Sequence, residues 1–322
     1  MKFHSLMLPH GTLIPVIVGS LVWLALGSLA LLGLIGLSLL EQLFLLAPLV
    51  ITPLSLPLLR ILEQQPLQYA LYRAIRAGQP VCALLAAVAF LLPPGLPAGA
   101  LALAWLGLTG LAALLGLLRL VARASFDTKE LVIDASLAYL AIGGGWLVLS
   151  RLGINPLGFD ETIILLTAVH FHYAGFAAPL ITGLTGHALS AANRSQKLYR
   201  GSALGVIAGT PLVAAGITLS PLVEVVGAVI LATSLAGIAY LTRYLVLRVI
   251  TGTLARTFLT ISAVCLLAGM LFTYLYALGE FSGYPLVSIP QMVIIHGMLN
   301  SLGFALFGLL GWTAIYGASA GV

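Results

Sequence analysis

The sequence predicts an all-α integral membrane protein, a polytopic bundle of about ten transmembrane helices with both termini on the cytoplasmic side. Three observations carry this. Of 322 residues, 61% are hydrophobic and 7% charged, and the mean hydropathy is +1.14; a soluble domain carries roughly 25% charged residues. The apolar runs are about 20 residues long, the length that takes a helix across the hydrocarbon core, and short connectors separate them. The basic residues fall almost wholly on one side of the alternation that ten spans create.

Breaks at Pro/Gly clusters and at charges place the spans at 12–33, 37–60, 79–94, 98–121, 129–151, 160–186, 201–219, 221–247, 255–279 and 288–315. The first follows "MKFHSLMLPHG". Pro9 and Gly11 interrupt its front and its apolar stretch exceeds that of a signal peptide, so a retained span is expected. Pro48, Pro53 and Pro57 in the second remove N–H donors, which bends or unwinds the helix and frees carbonyls that a neighbour or ligand must satisfy. The third is short and ends in Pro93 and Pro94, so tilting, local thinning of the bilayer or an incomplete crossing is expected. Ahead of it, "EQQPLQYALYRAIRAG" mixes apolar and basic residues as an interfacial helix does.

Asp127 and Glu130 have capping-box spacing before the fifth span, and Asp160 and Glu161 open the sixth, where carboxylates suit the positive end of the helix dipole. Lower in the sixth, Pro179 lacks an N–H and clashes with the carbonyl of Gly175, which predicts an irregular helix there. Glycine patches at 143–145 and 207–216 let later spans pack closely. No repeat aligns residues 1–155 with 156–322, and the chain from 1 to 322 reads as one transmembrane domain.

With the N-terminus inside, Lys2, Arg60, Arg73, Arg76, Arg119, Arg123, Lys129, Arg194, Lys197, Arg200, Arg243, Arg248 and Arg256 lie on the cytoplasmic side, and Arg151 alone lies outside. One spurious or missing span would scramble this partition for everything after it. The bacterial cytoplasmic (inner) membrane is the expected location. The net charge of +5 is thus a matter of topology and implies no nucleic-acid partner. Cys82 and Cys265 lack zinc or redox spacing. Zinc-protease, P-loop, dinucleotide and haem-attachment motifs do not occur.

Ionisable side chains at membrane depth cost several kcal/mol and so require a partner or a purpose. At 1.5 Å per residue, His170 and His172 lie about 15 to 18 Å below the outer end of span six, and His296 about 12 Å below that of span ten. These three histidines near one depth are the candidate site. Glu41, about 6 Å below the outer surface, is the candidate base or further ligand. Asn300 shares a helix face with His296, and Tyr173 follows His170 by three residues, so both are candidate substrate or supporting groups. Asp134 lies too shallow to join them and reads as the partner of a nearby arginine or as a backbone-bonded interfacial acid. His4, His10 and His187 read as interfacial residues.

Three chemistries suit the histidines. A transition metal, zinc or iron, would use all three and would activate water or dioxygen on a small apolar or lipid-like substrate. Its difficulty is angular, because residues i and i+2 of a helix point about 200° apart. A b-type haem, in a subunit of a larger membrane complex or a homo-oligomer, would need only one of the pair together with His296. A proton- or ion-coupled secondary transporter would use the histidines as a midplane relay. Cross-helix bonding alone is the structural alternative.

"LTAVHFHYAGFAAPLITG" (166–183), "EQLFLLAPLVITPLSL" (41–56) and "HGMLNSLGFALFGLLGW" (296–312) together resemble the YndJ-like family of bacterial membrane proteins. The resemblance covers most of the chain, and HFHYAGF is its most specific element. It implies a membrane bundle in which Glu41, His170, His172, His296 and Asn300 matter. Some members carry a transporter label, but the resemblance assigns no reaction, substrate or ligand to any residue.

Overall fold

The computed structural model describes residues 13–59, 65–123, 125–194 and 196–318, so Lys2, His4, Pro9, His10, Gly11 and Arg60 lie outside the described residues. Every regular element described is helical. The ten helical segments are α1 Ile14–Leu31, α2 Leu39–Leu58, α3 Pro66–Ala89, α4 Leu96–Arg123, α5 Thr128–Leu152, α6 Glu161–Ala191, α7 Lys197–Leu219, α8 Pro221–Arg248, α9 Thr253–Ser282 and α10 Ile289–Tyr316. All but α3 are long and apolar enough to cross a membrane by length and composition. The protein is an all-α polytopic membrane bundle.

α3 corrects the sequence reading at its weakest point. The expected interfacial stretch and the short third span are one helix of 24 residues that continues through Pro80. At 1.5 Å per residue it is about 36 Å long, more than the hydrocarbon core requires. It is pinned at both ends of the helices beside it. Near its start, Gln68 Nε2 donates to Leu118 O late in α4, and the Tyr72 hydroxyl donates to Leu56 O late in α2. Just past its end, Phe90 lies 4.3 Å beneath the guanidinium carbon of Arg151, late in α5. Since α4 and α5 are antiparallel neighbours, these pins lie at opposite ends of the bundle. Arginines in its first half depress its hydropathy, while its length is sufficient for a crossing.

The chain divides into two units, each with its own packing. One comprises residues 9–125 and 134–176, the other 126–133 and everything from 177 onward. The first holds α1 to α4, most of α5 and the first half of α6. Its centre is α2, whose residues from Leu43 to Leu56 are nearly all sequestered from solvent. The prolines act on α2 as their chemistry dictates: residues 47–51 form a π-helix and 56–58 a 3₁₀ turn. Ala47 N–H turns to Phe44 O, and Leu43 O is taken by the Tyr173 hydroxyl at 2.7 Å. Gln79 Nε2 donates to Pro48 O at 2.7 Å, and Trp23 Nε1 donates to Gln42 O at 2.8 Å. α1 approaches this distorted segment at Gly19, where a Cβ would stand 1.8 Å from Leu49 O. Asp134 pairs with Arg119 Nε at 2.7 Å and also with Arg123, as its depth predicted.

The second unit packs α7 on α8 and α8 on α9, with α10 against α9. α10 is π-helical over 292–297 and again over 299–306. His187 meets Glu130 at 3.0 Å in this unit.

Candidate functional site

α6 starts where the sequence placed it, with Asp160 Oδ1 accepting from Ile163 N–H at 3.0 Å. The predicted irregularity is present as a π-helix from Tyr173 to Ala177, around Gly175 and ahead of Pro179. It begins one residue after the histidine pair, however, so His170 and His172 still sit on regular helix and point apart. His170 is exposed, and its Nδ1 donates to Leu166 O at 3.0 Å. His172 is fully buried. Trp105 Nε1 donates to His172 Nε2 at 2.9 Å, and an indole N–H can only donate, so Nδ1 carries the ring proton and donates to Ala168 O at 2.7 Å. Phe44 meets the ring edge-on at 4.8 Å, and Gly143 makes the space for it, since a Cβ there would lie 2.7 Å from Nδ1.

In this arrangement His172 does not serve as a ligand to the expected metal or haem. Coordination requires a free nitrogen lone pair on the imidazole, and the one lone pair of the neutral His172 ring receives the Trp105 N–H. Tyr173 serves Leu43 O. His296 and Asn300 belong to the second unit, where His296 bonds across to α9 and Asn300 bonds back along its own helix. Gly269 O can only accept, so His296 Nδ1 donates to it at 3.0 Å, with Thr273 Oγ1 at 3.3 Å, while Asn300 Nδ2 donates to His296 O at 2.8 Å. Within neither unit do three His, Cys, Asp or Glu side chains among the described residues form a metal-binding group. Cross-helix bonding is the role in which the structure finds His172, Tyr173 and His296, while Asn300 bonds back along α10.

Glu41 is likewise not turned down toward the histidines. Its Oε2 accepts from Ser38 N–H at 2.8 Å and from Ser38 Oγ at 2.9 Å, closing a capping box at the start of α2. Its other oxygen faces Arg151 at 4.0 Å. Together they line a pocket of about 180 Å³ with Ser38, Ser150, Asn155 and Glu161. Arg151 is only 7% exposed. Its guanidinium stacks over Phe90 and reaches Ser150 Oγ at 3.3 Å, and its Nε has no hydrogen-bond partner. A buried guanidinium left short of acceptors is costly, and an oxygen-bearing anion entering this pocket would supply them. The sequence reading assigned Arg151 no role, yet it held the signal: this was the single basic residue on the outer side.

Fold and site together define a polytopic helical membrane protein with a charged pocket at the end of the bundle where α2 and α6 begin. The chain belongs to the YndJ-like family, whose model matches residues 42–304. It is 31% identical over 278 residues to the uncharacterized membrane protein YndJ of Bacillus subtilis (strain 168), an alignment covering 85% of this chain and 48% of the relative. The chain thus spans about half the length of that curated relative. No solved structure matches it significantly.

Proposed function

We propose that this protein is a secondary transporter in the cytoplasmic membrane, taking up a small zwitterionic solute at the Arg151 pocket. The observation that carries the reading is the buried, incompletely bonded guanidinium of Arg151 opening on a pocket that also holds Glu41 and Glu161. An anionic group of the solute completes the hydrogen bonds of Arg151, and its ammonium lies against Glu161. The volume of about 180 Å³ equals the share of roughly six liquid waters, enough for a solute the size of an amino acid. The build of the walls supports transport over simple binding. Glu41 and Glu161 sit on the two helices of this unit that pass through π-helical segments farther down, and such segments give helices room to rearrange.

Thermal unfolding of the purified protein in nanodiscs tests this, with glycine, β-alanine and phosphoethanolamine as probes and acetate and methylamine as half-ligands. A zwitterion raises the melting temperature, neither half does so alone, the rise is lost in R151Q and weakened in E161Q, and proteoliposomes accumulate the stabilising solute. Arg151→Met on its own distinguishes a ligand site from a structural ion pair. Glu41 keeps its Ser38 bonds in that variant, so stability changes by less than about 1 kcal/mol. A loss of about 3–5 kcal/mol would make the Arg151–Glu41 pair structural and sink the reading.

A further inference from the structure

The same unit holds a second cavity, of about 320 Å³, at the end opposite Arg151. Pro15 at the start of α1, Pro53 and Pro57 late in α2, and Arg73, Arg76 and Gln79 of α3 form its walls. Two guanidiniums thus face one space, and no carboxylate among the described residues lines it. The contrast lies close by, since Arg119 and Arg123 near the same end share Asp134. Arg73 and Arg76 are three residues apart, on one face of the helix, where like charges repel unless an anion joins them.

The backbone around them makes no use of these cations. Prolines in α2 free carbonyls, but the nearby ones are already bonded: Pro48 O by Gln79, Ile51 O by the Ser55 hydroxyl and Leu56 O by the Tyr72 hydroxyl. Arg76 lies over the Tyr72 ring at 5.6 Å and also engages the Tyr72 hydroxyl, and a guanidinium with five N–H donors has others to offer a ligand. Next to the cavity runs the outer face of α1, where Ile14, Ile17 and Leu21 are each more than half exposed. A ligand here meets paired cations beside an apolar wall at the level of the membrane surface.

We propose that this cavity binds an anionic phospholipid, with its phosphate bridged by Arg73 and Arg76 and its acyl chains laid along α1. Guanidinium forks match phosphate oxygens in geometry as well as charge, and basic pockets between helices on the cytoplasmic side are suited to such headgroups. The partition of basic residues puts this end of the bundle on that side.

Native mass spectrometry of the full chain released from phosphatidylcholine nanodiscs doped with phosphatidylglycerol tests it. The wild type retains phosphatidylglycerol over phosphatidylcholine. R73Q/R76Q binds it about 30-fold more weakly, from a roughly fivefold contribution per arginine. R248Q/R256Q, which removes the same charge elsewhere, retains it as the wild type does. R73K/R76K keeps the cations without the forks and retains an intermediate amount, so the proposal stays testable should the Gln pair fail to fold. Equal retention in the wild type and both α3 variants would overturn it, as would equal retention of phosphatidylcholine. Saturable binding of inorganic phosphate alone by the delipidated protein, lost in the same variants, would also overturn it and assign the cavity to a free anion.

Discussion

His172 and Arg151 are both buried in a membrane protein, and they differ in whether their hydrogen-bonding groups are met. Both ring nitrogens of His172 are used, so the residue holds α4 to α6 and asks nothing of a ligand. Replacing it by Leu strands the Trp105 N–H, at an expected cost of about 1–3 kcal/mol. W105F in the H172L background then costs less than W105F in the wild type, a coupling that a double-mutant cycle of unfolding in detergent measures. Bonds between helices in membranes average nearer 0.6 kcal/mol, because the unfolded chain in lipid also finds partners, so the lower end of the range is expected. G143A is worse than losing one such bond. Its methyl group would press on Nδ1 and Cε1 of His172 from 2.7 and 2.8 Å, and overpacking costs about 1–3 kcal/mol. Arg151 shows the opposite balance, so its variants are expected to lose the response to ligand with little change in stability.

At the scale of helices, α2 shows how a proline-broken element survives in lipid. Each irregular stretch is answered by a side chain from a neighbour, and the Tyr173 bond to Leu43 O is the longest-range of these. Tyr173→Phe leaves that carbonyl bare at the top of the π-segment, and a loss of about 1–2 kcal/mol in thermal unfolding is expected. If Y173F melts like the wild type, water or the backbone already serves Leu43. Most of this architecture was legible in the sequence, because apolar runs bounded by charges and prolines are set by the bilayer and not by tertiary detail. The break near Gly175 and the Asp134 pairing followed from local chemistry. The bounds of α3 were misjudged because its arginines and Pro80 hid one continuous helix of 24 residues. The three-histidine site was illegible for a different reason. Depth along a helix can be counted from sequence, but the direction in which His170 and His172 face depends on packing against Trp105, Phe44 and Gly143, residues that periodicity does not connect to them.

For the whole molecule, the crossing of α3 decides the side of everything that follows it. If α3 spans, connectors alternate strictly: 32–38, 90–95, 153–160, 220 and 283–288 outside, and 125–127, 192–196 and 249–252 inside. If it does not, every later connector changes sides, Arg151 joins the cytoplasmic arginines, and Arg119, Arg123, Arg194, Arg243 and Arg248 are stranded outside, a distribution the positive-inside rule disfavours. Single cysteines at Gly36, Pro94, Ser125, Asn155, Asn193, Gly252 and Tyr284, in a variant lacking Cys82 and Cys265, separate the two cases. A membrane-impermeant maleimide labels positions 36, 94, 155 and 284 in intact cells and the remaining three only after permeabilisation. Labelling of 125 and 193 in intact cells would take α3 out of the membrane. It would also put the Arg73 and Arg151 cavities on one side, and neither the solute site nor the lipid site would then stand as assigned.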